Sequence, residues 1–250
     1  MLMLRLFHFA LNRSVLINKL LIIPEFRDVL VKTRYKHFTK RNRLNLVANN
    51  KGITSNAIGH NFDPKRMFFP NLSKRPDLIS KPLSCDISVI QNASTQKILL
   101  IGARTEAEIF SFRLCGFIES NIYAIDLASY TPLITTMNAE DLKYPSDYFD
   151  VIILGWVLEF VQDIDKVKSE VIRCLTPGGI IGIGAMYHPE SQDMFEYSTI
   201  KDHSDRVWAP KSTIEIGKFF GINEVIFNSD VTHIDKDKRN DLVLIGRRTK

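Results

Sequence analysis

The chain reads as an α/β fold, a mostly parallel sheet with helices on both faces. Three observations carry that reading. Short β-branched runs recur at Lys97-Ile98-Leu99-Leu100-Ile101, Asn121-Ile122-Tyr123-Ala124-Ile125, Phe149-Asp150-Val151-Ile152-Ile153-Leu154 and Ile180-Ile181-Gly182-Ile183. Stretches with helical spacing lie between them. Small or polar residues, namely Gly102, Asp126, Asn138 and Gly155, stand where strands end. Apolar runs without alternation describe strands buried on both faces, as in successive βαβ units. Ligands of such sheets bind beyond the carboxyl ends of the strands, where the strand order reverses. The four strand-end residues therefore outline a binding crevice.

Taken in order, the elements fall into three parts. Residues 1–45 form a basic, apolar N-terminal arm. It is rich in Leu, Ile and Phe and holds no acid before Glu25. Arg5, His8, Arg13 and Lys19 interrupt it, so no run approaches the roughly 18 residues of a spanning helix. Lys32, Arg34, Lys36, Lys40, Arg41 and Arg43 follow. Residues 1–50 carry ten Lys or Arg against two acids, whereas the other 200 carry 23 against 26. Three readings suit such an arm: a helix on an anionic membrane surface, an organellar targeting segment, or a helix packed on the core or a partner subunit.

Residues 46–96 read as an irregular connecting segment, rich in Asn, Ser, Lys and Pro, with a helical turn at Leu83–Ile90. Phe62, Met67, Phe68 and Phe69 are too apolar for a free linker. Residues 97–250 form the main domain. Its first helix spans Glu106–Leu114, with Ile109, Phe110 and Leu114 spaced to face the sheet and Gly116 to end it. Asp163–Leu175 is a second helix, broken by Pro177-Gly178-Gly179 before the next strand. Residues 185–210 show no periodicity. A helix at Ser212–Phe220, closed by Gly221, precedes paired strands at Glu224–Phe227 and Asp241–Ile245.

Composition narrows the function. A chain of 250 residues, 45% of them hydrophobic, suits one α/β domain with an extension. Cys85, Cys115 and Cys174 have no metal-ligand spacing, so no metal is expected, and they suit a reducing, cytoplasmic setting better than a disulfide scaffold. The main domain is not basic, which argues against a nucleic-acid partner.

From Lys97 to Arg248 the sequence resembles the class I S-adenosylmethionine (SAM)-dependent methyltransferases. The first strand with Gly102 is similar to the family's first motif, and Asp126 to the acid closing its second strand, 24 residues on. Asn138-Ala139-Glu140-Asp141-Leu142 resembles the segment placed under the adenine. Ser146–Ile152 resembles the entry to the fourth strand and Leu175–Gly179 the turn before the fifth. Ile101-Gly102-Ala103-Arg104-Thr105-Glu106 and Leu154-Gly155-Trp156 are similar to a bacterial subgroup with a variant first motif. The departure from the general pattern is large. Leu100 stands at the usual acidic position, and Arg104 and Glu106 replace the second and third glycines, which would let backbone approach a ligand.

The resemblance implies a Rossmann-like, mostly parallel seven-stranded sheet and SAM as cofactor. It implies Gly102, Arg104, Glu106, Asp126, Leu127, Asn138, Ala139, Gly155 and Trp156 around that cofactor. In this reading Asp126 accepts from the ribose hydroxyls, and the Asn138 amide oxygen and Ala139 backbone meet the adenine. Arg104 would hold the cofactor carboxylate, and Glu106 or Glu108 its ammonium. Each residue also has a plainer explanation. Asp126 suits a helix cap, Arg104 and Glu106 a solvated pair, Asn138 a loop and Trp156 the core. Glu159 and His188 are the candidate bases, set against an exposed helical glutamate and a surface histidine. Tyr187, Tyr197, His203 and Trp208 fall where family members build an acceptor lid.

The activity so implied is methyl transfer to a small or envelope-associated acceptor, in a cytoplasmic protein or one peripheral to a membrane. A methyltransferase-like module without catalysis, binding through its basic arm, is the rival. A nicotinamide-dependent oxidoreductase fits poorly, because its phosphate turn needs glycines where Arg104 and Ala107 stand.

Overall fold

The computed structural model describes residues 19–41, 45–46, 74–187, 189, 208, 210–230, 237–238 and 240–249. Six helices occur among them: α1 (Pro24–Arg41), α2 (Lys74–Leu83), α3 (Ile87–Asn92), α4 (Glu106–Arg113), α5 (Ile164–Cys174) and α6 (Thr213–Phe220). The strands are β1 (Asn45–Leu46), β2 (Ile98–Ile101), β3 (Ile122–Asp126), β4 (Ala128–Ser129), β5 (Thr135–Thr136), β6 (Phe149–Gly155), β7 (Leu175–Tyr187), β8 (Glu224–Ser229) and β9 (Asn240–Arg247).

Seven strands form one sheet in the order β5-β3-β2-β6-β7-β9-β8. Its neighbours pair in parallel except at β9, which runs antiparallel to both β7 and β8. All four residues of β2 are buried, Ile98 and Leu100 facing one side and Leu99 and Ile101 the other. The sheet is thus the middle layer of three. Val167, Val171 and Cys174 of α5 cover one face with Ile216 and Phe220 of α6. Ile79 and Leu83 of α2, Val89 of α3 and Ile109 and Phe112 of α4 cover the other. The strand order reverses between β2 and β6, which puts the switch-point crevice beside Gly102 and Gly155.

Local chemistry sets the helix ends. Thr105 caps α4 in a reciprocal box with Glu108. Asp163 caps α5 by accepting from the Lys166 amide, and Ser212 caps α6 by accepting from the Glu215 amide. Gly221 ends α6 in the left-handed region at φ 69°. The Pro177-Gly178-Gly179 turn differs from expectation. It is absorbed into β7, where the pairing jumps from Phe149–Leu175 to Val151–Ile180, so the residues between bulge from the ladder.

Two other expectations are corrected. The stretch 46–96 reads as an irregular connection with a helical turn at Leu83–Ile90, yet residues 74–92 hold two helices, the ten-residue α2 and then α3 at Ile87–Asn92, both packed on the sheet; residues 47–73, with Phe62, Met67, Phe68 and Phe69, lie outside the described residues. In α4, Ile109 and Phe112 face the sheet, whereas Phe110 packs with Leu21, Leu30 and Val31 and Leu114 is partly exposed. The reason is that α4 is covered on its outer side by α1, so it carries two apolar stripes.

α1 is held by charges turned inward. Arg27, Asp28 and Arg34 are buried, whereas Val29 is exposed. Arg27 makes a two-pronged pair with Asp77 of α2, both contacts 2.8 Å, and also donates to Ser111 of α4 at 2.8 Å. Burial pushes the Asp77 carboxyl up, but hydrogen bonds and charge from Arg27 outweigh that and hold it below the usual range. Of the three readings of the arm, residues 24–41 follow the packed helix. No helix among the described residues is long and apolar enough to cross a membrane. Removing one partner of a buried pair strands the other, at about 3 kcal/mol or more. Asp77→Ala should lower the stability by about that much, read as a clear drop in the urea midpoint, whereas a change within 0.5 kcal/mol would make the pair incidental.

Candidate cofactor site

The first turn after β2 is built on Gly102. Its φ of 78° suits glycine alone, and the Gly102 and Ala103 amides both donate to the Ile125 carbonyl, at 2.9 and 3.0 Å. That pins the turn to the end of β3. A Cβ at Gly102 would lie 2.8 Å from the Cβ of Val157, so the turn is closed on that side by protein. At Gly155, an added Cβ would meet nothing within 4 Å. The switch-point crevice therefore opens on the β6 side.

Acidic groups line the turn. Asp126 closes β3 and is buried, with one carboxylate oxygen accepting from the Ala128 amide at 3.2 Å. Burial, reinforced by the nearby Glu108 charge, raises it to about 6, against smaller lowering effects from the Ala128 amide and Arg104. Glu108 accepts from the Thr105 amide at 3.1 Å and hydroxyl at 2.7 Å. Burial lifts its carboxyl above the usual range, partly offset by Thr105 and by Arg104. Arg104 is half-buried and acts on both carboxylates through its charge. Among the described residues it has no ion pair or hydrogen bond of its own.

Glu106 lies elsewhere. It is fully buried, and its two carboxylate oxygens accept from Arg34 Nε and, at 2.9 Å, from Arg34 Nη2. Thr131 Oγ1 donates to the same carboxylate. Neither a cofactor grip nor a solvated pair with Arg104 describes Glu106, because its oxygens are committed to α1 and to the loop after β4. Nothing local in the sequence marks this pairing, whose members are 72 residues apart.

The remaining strand ends behave individually. Met137 donates to the Asp126 carbonyl at 2.9 Å, tying the β5 end to Asp126. Asn138 closes a turn, its amide oxygen accepting from the Glu140 amide at 3.0 Å, and Ala139 is buried beside it. Leu127, half-buried, separates Asp126 from β4. Glu140 in turn accepts from the Gln162 and Asp163 amides at 2.7 and 3.1 Å, which joins this segment to the start of α5.

Trp156 follows Gly155 at φ 54°, a left-handed conformation that is uncommon for a bulky residue. Its amide donates to the Gly184 carbonyl at 2.8 Å, and its ring lies against Gly184. Its indole donates to Asp241 at 2.7 Å beneath the Arg75 guanidinium, 4.5 Å from the ring. Trp156 thus walls the carboxyl edge over β7 and β9. Arg75 and Asp241 are missed by sequence reasoning because they join it from distant segments. Glu159 sits on a short 3-10 turn, Leu158–Phe160, and is buried rather than exposed. Tyr187 is buried, and Trp208 donates to Glu215 at 3.3 Å. His188, Tyr197 and His203 lie outside the described residues. No cluster of metal-ligating side chains occurs among the described residues.

Residues 109–183 match the family model described as Methyltransferase domain. That stretch, from α4 to the middle of β7, is similar to a methyltransferase domain. Demethylmenaquinone methyltransferase of Symbiobacterium thermophilum is 36% identical over 66 residues, 26% of either chain. The ubiquinone/menaquinone biosynthesis C-methyltransferase UbiE of Vibrio campbellii is 50% identical over 42 residues, 17% of this chain and 16% of that one. The alignment thus spans about a quarter or less of the curated relatives' length. Among solved structures, the Burkholderia thailandensis 1,6-didemethyltoxoflavin-N1-methyltransferase, with bound 1,6-didemethyltoxoflavin and S-adenosylhomocysteine, superposes with a TM-score of 0.52 at 13% identity. That match covers 78% of this chain and 87% of that one, and it shows the fold.

The contrast between the two strand-end glycines can be measured. Gly102→Ala forces a left-handed alanine against Val157 and should cost about 2 kcal/mol or more. Gly155→Ala enters open space and should change stability by less than about 0.5 kcal/mol. Equal losses in thermal unfolding would mean that the crevice is not open at β6.

Proposed function

We propose that this protein is a SAM-dependent methyltransferase acting on a small-molecule acceptor. The observation that carries the reading is the buried Asp126 carboxylate, held at the end of β3 beside a crevice that opens at Gly155. The names of the partial relatives and of the solved neighbour support an acceptor of that size.

The residues present fit the cofactor's chemistry. Asp126 supplies a carboxylate for the two ribose hydroxyls, and Arg104 a cation for the carboxylate end, with no hydrogen bond of its own among the described residues. Glu108, at the same turn, supplies a negative charge for the ammonium. Asn138 and Ala139 would border the adenine, and the open space at Gly155 would admit the reacting end. Val157 limits the space at Gly102, so in this chain the grip shifts from glycine backbone to side-chain charge.

Bound SAM supplies an electrophilic methyl group on a sulfonium sulfur. The protein's own part is then mainly orientation. Holding the acceptor in line with the methyl carbon converts a bimolecular encounter into a positioned one, which accounts for several kcal/mol of barrier. Trp156, fixed by Asp241 and Arg75, forms a rigid apolar wall for that purpose. A base is needed only where the acceptor atom must lose a proton. Glu159, just past the end of β6, is the candidate for that role, with His188 the other.

Two predictions separate a ligand carboxylate from a structural one at Asp126. Its folded value of about 6 lies above the ordinary 3.8. Ionising it therefore costs the unliganded protein stability as pH rises through that window, and the cost is complete above about 6. Asp126→Asn should raise the unliganded melting temperature at pH 8 while weakening S-adenosylhomocysteine binding at least tenfold, or ~1.4 kcal/mol. A carboxylate of purely structural value would share the stability effect but leave the affinity unchanged. In the parent protein, affinity measured by calorimetry should fall as pH drops below about 6, because the protonated carboxyl accepts poorly from the diol. A flat profile from pH 5 to 8 removes Asp126 from the site.

Arg104 gives a second test. Its planar fork can pair bidentately with a carboxylate, which lysine copies poorly. Arg104→Lys should weaken S-adenosylhomocysteine binding several-fold with no change in melting temperature, and unchanged affinity would make Arg104 a surface charge.

A further inference from the structure

The buried pair of Arg34 and Glu106 reaches further than joining two helices requires. Glu106 stands at the start of α4, immediately after the Gly102 turn, and its carboxylate gathers donors from two other segments. Arg34 of α1 provides two and Thr131 a third. The Glu106 amide itself donates to the Tyr130 hydroxyl at 3.3 Å. Tyr130 is buried, and its ring meets that of Tyr35, one residue after Arg34, edge-on at 4.9 Å.

From Thr131 the links continue to Asp126. The Ser129 hydroxyl donates to the Thr131 carbonyl at 2.7 Å and accepts from its amide at 3.1 Å. Ala128 and Ser129 form β4, which pairs with β1, the short strand after α1. The Ala128 amide then donates to the Asp126 carboxylate. α1 and β1 thus touch both segments that border the crevice, the start of α4 through Arg34 and the connection after β3 through Tyr35 and β1. An apolar residue at 106 could pack against α1, but it could not draw donors from two loops to one point.

We propose that Arg34 is a positioning residue for the cofactor site. By holding Glu106 it fixes the first turn of α4 and, through Thr131 and Tyr130, the loop that carries Asp126 into the crevice. The Arg34–Glu106 pair takes over the shaping of a turn that lacks two of its glycines, and α1 belongs to the binding site. This rests on the methyltransferase reading above.

The test replaces the pair and asks for order and affinity separately. Exchanging a buried ion pair for apolar residues of similar volume often leaves stability unchanged, so Arg34→Met combined with Glu106→Met should still unfold cooperatively. In the unliganded double variant, amide hydrogen exchange over residues 128–133 should quicken at least tenfold, with exchange in β6 and β7 unchanged. Its dissociation constant for S-adenosylhomocysteine should rise at least tenfold. Arg34→Lys keeps the charge but loses the fork, and should fall between parent and double variant on both measures. If the double variant does not fold, Arg34→Lys decides by the same two readings. A folded variant with parental exchange or parental affinity overturns the proposal and leaves the pair as packing. A parent protein that binds no S-adenosylhomocysteine is a different failure, because it removes the methyltransferase reading and the inference with it.

Discussion

Two buried arginines, Arg27 and Arg34, decide how the outer layer of this protein is arranged. A guanidinium cannot shed its charge, so a buried one has to be met by carboxylate and hydroxyl oxygens placed to receive it. Arg27 finds Asp77 and Ser111, and Arg34 finds Glu106. Because the acceptors sit on α2 and at two places on α4, its first residue and its sixth, the arginines leave α1 one seat on the core. An apolar helix face could slide by a turn and lose little. These forks could not, since a shift of a few ångströms would leave charge unpaired in a low-dielectric setting.

That fixed seat lies beside the switch-point crevice. The crevice lies at the point where the two halves of the sheet diverge, and its rim is made of connections rather than of strands. Glu140 binds the connection after β5 to the start of α5, Gly102 and Ala103 bind the first turn to β3, and Trp156 binds the end of β6 across Gly184 to Asp241. The rim is therefore tied by hydrogen bonds before any ligand arrives. Binding to a preformed rim spares the ordering cost that mobile loops would impose. The raised pKa of Asp126 is the counterpart, because burial makes its ionised carboxylate a destabilising charge on the rim.

How much of this the sequence discloses depends on how local each signal is. β2, β3 and β6 are legible because burial on both faces writes unbroken apolar runs. The ends of α6 are legible because Ser212 and Gly221 are each dictated by one residue's own conformation. Asp126 is legible from its place at a strand end. α1 is readable as a helical arm but not in its orientation, since its inward face mixes Leu30, Val31 and Tyr35 with the charged Arg27 and Arg34, so no apolar stripe marks it. Glu106 is misread because its partner is 72 residues upstream, and no spacing rule links them. α2 escapes notice because Pro76 and Pro82 suggest a broken connection. Yet Pro76 falls in its first turn, where proline is tolerated, and Pro82 at its last residues. The bulge after Leu175 is hidden because the turn sequence is correct while the strand simply continues through it.

The position of β9 has a consequence for how the chain comes off the ribosome. β9 is an inner strand, and it pairs with β7 on one side and β8 on the other. Until residues 240–247 have been synthesised, β7 presents an open edge of buried character, and β8 has no neighbour in the sheet. Such an edge invites pairing with other nascent chains. The sheet therefore cannot close progressively in the order of translation. Its last assembly step joins segments about 60 residues apart in sequence, a distance that slows closure only modestly in entropy but keeps the vulnerable edge exposed for as long as synthesis takes.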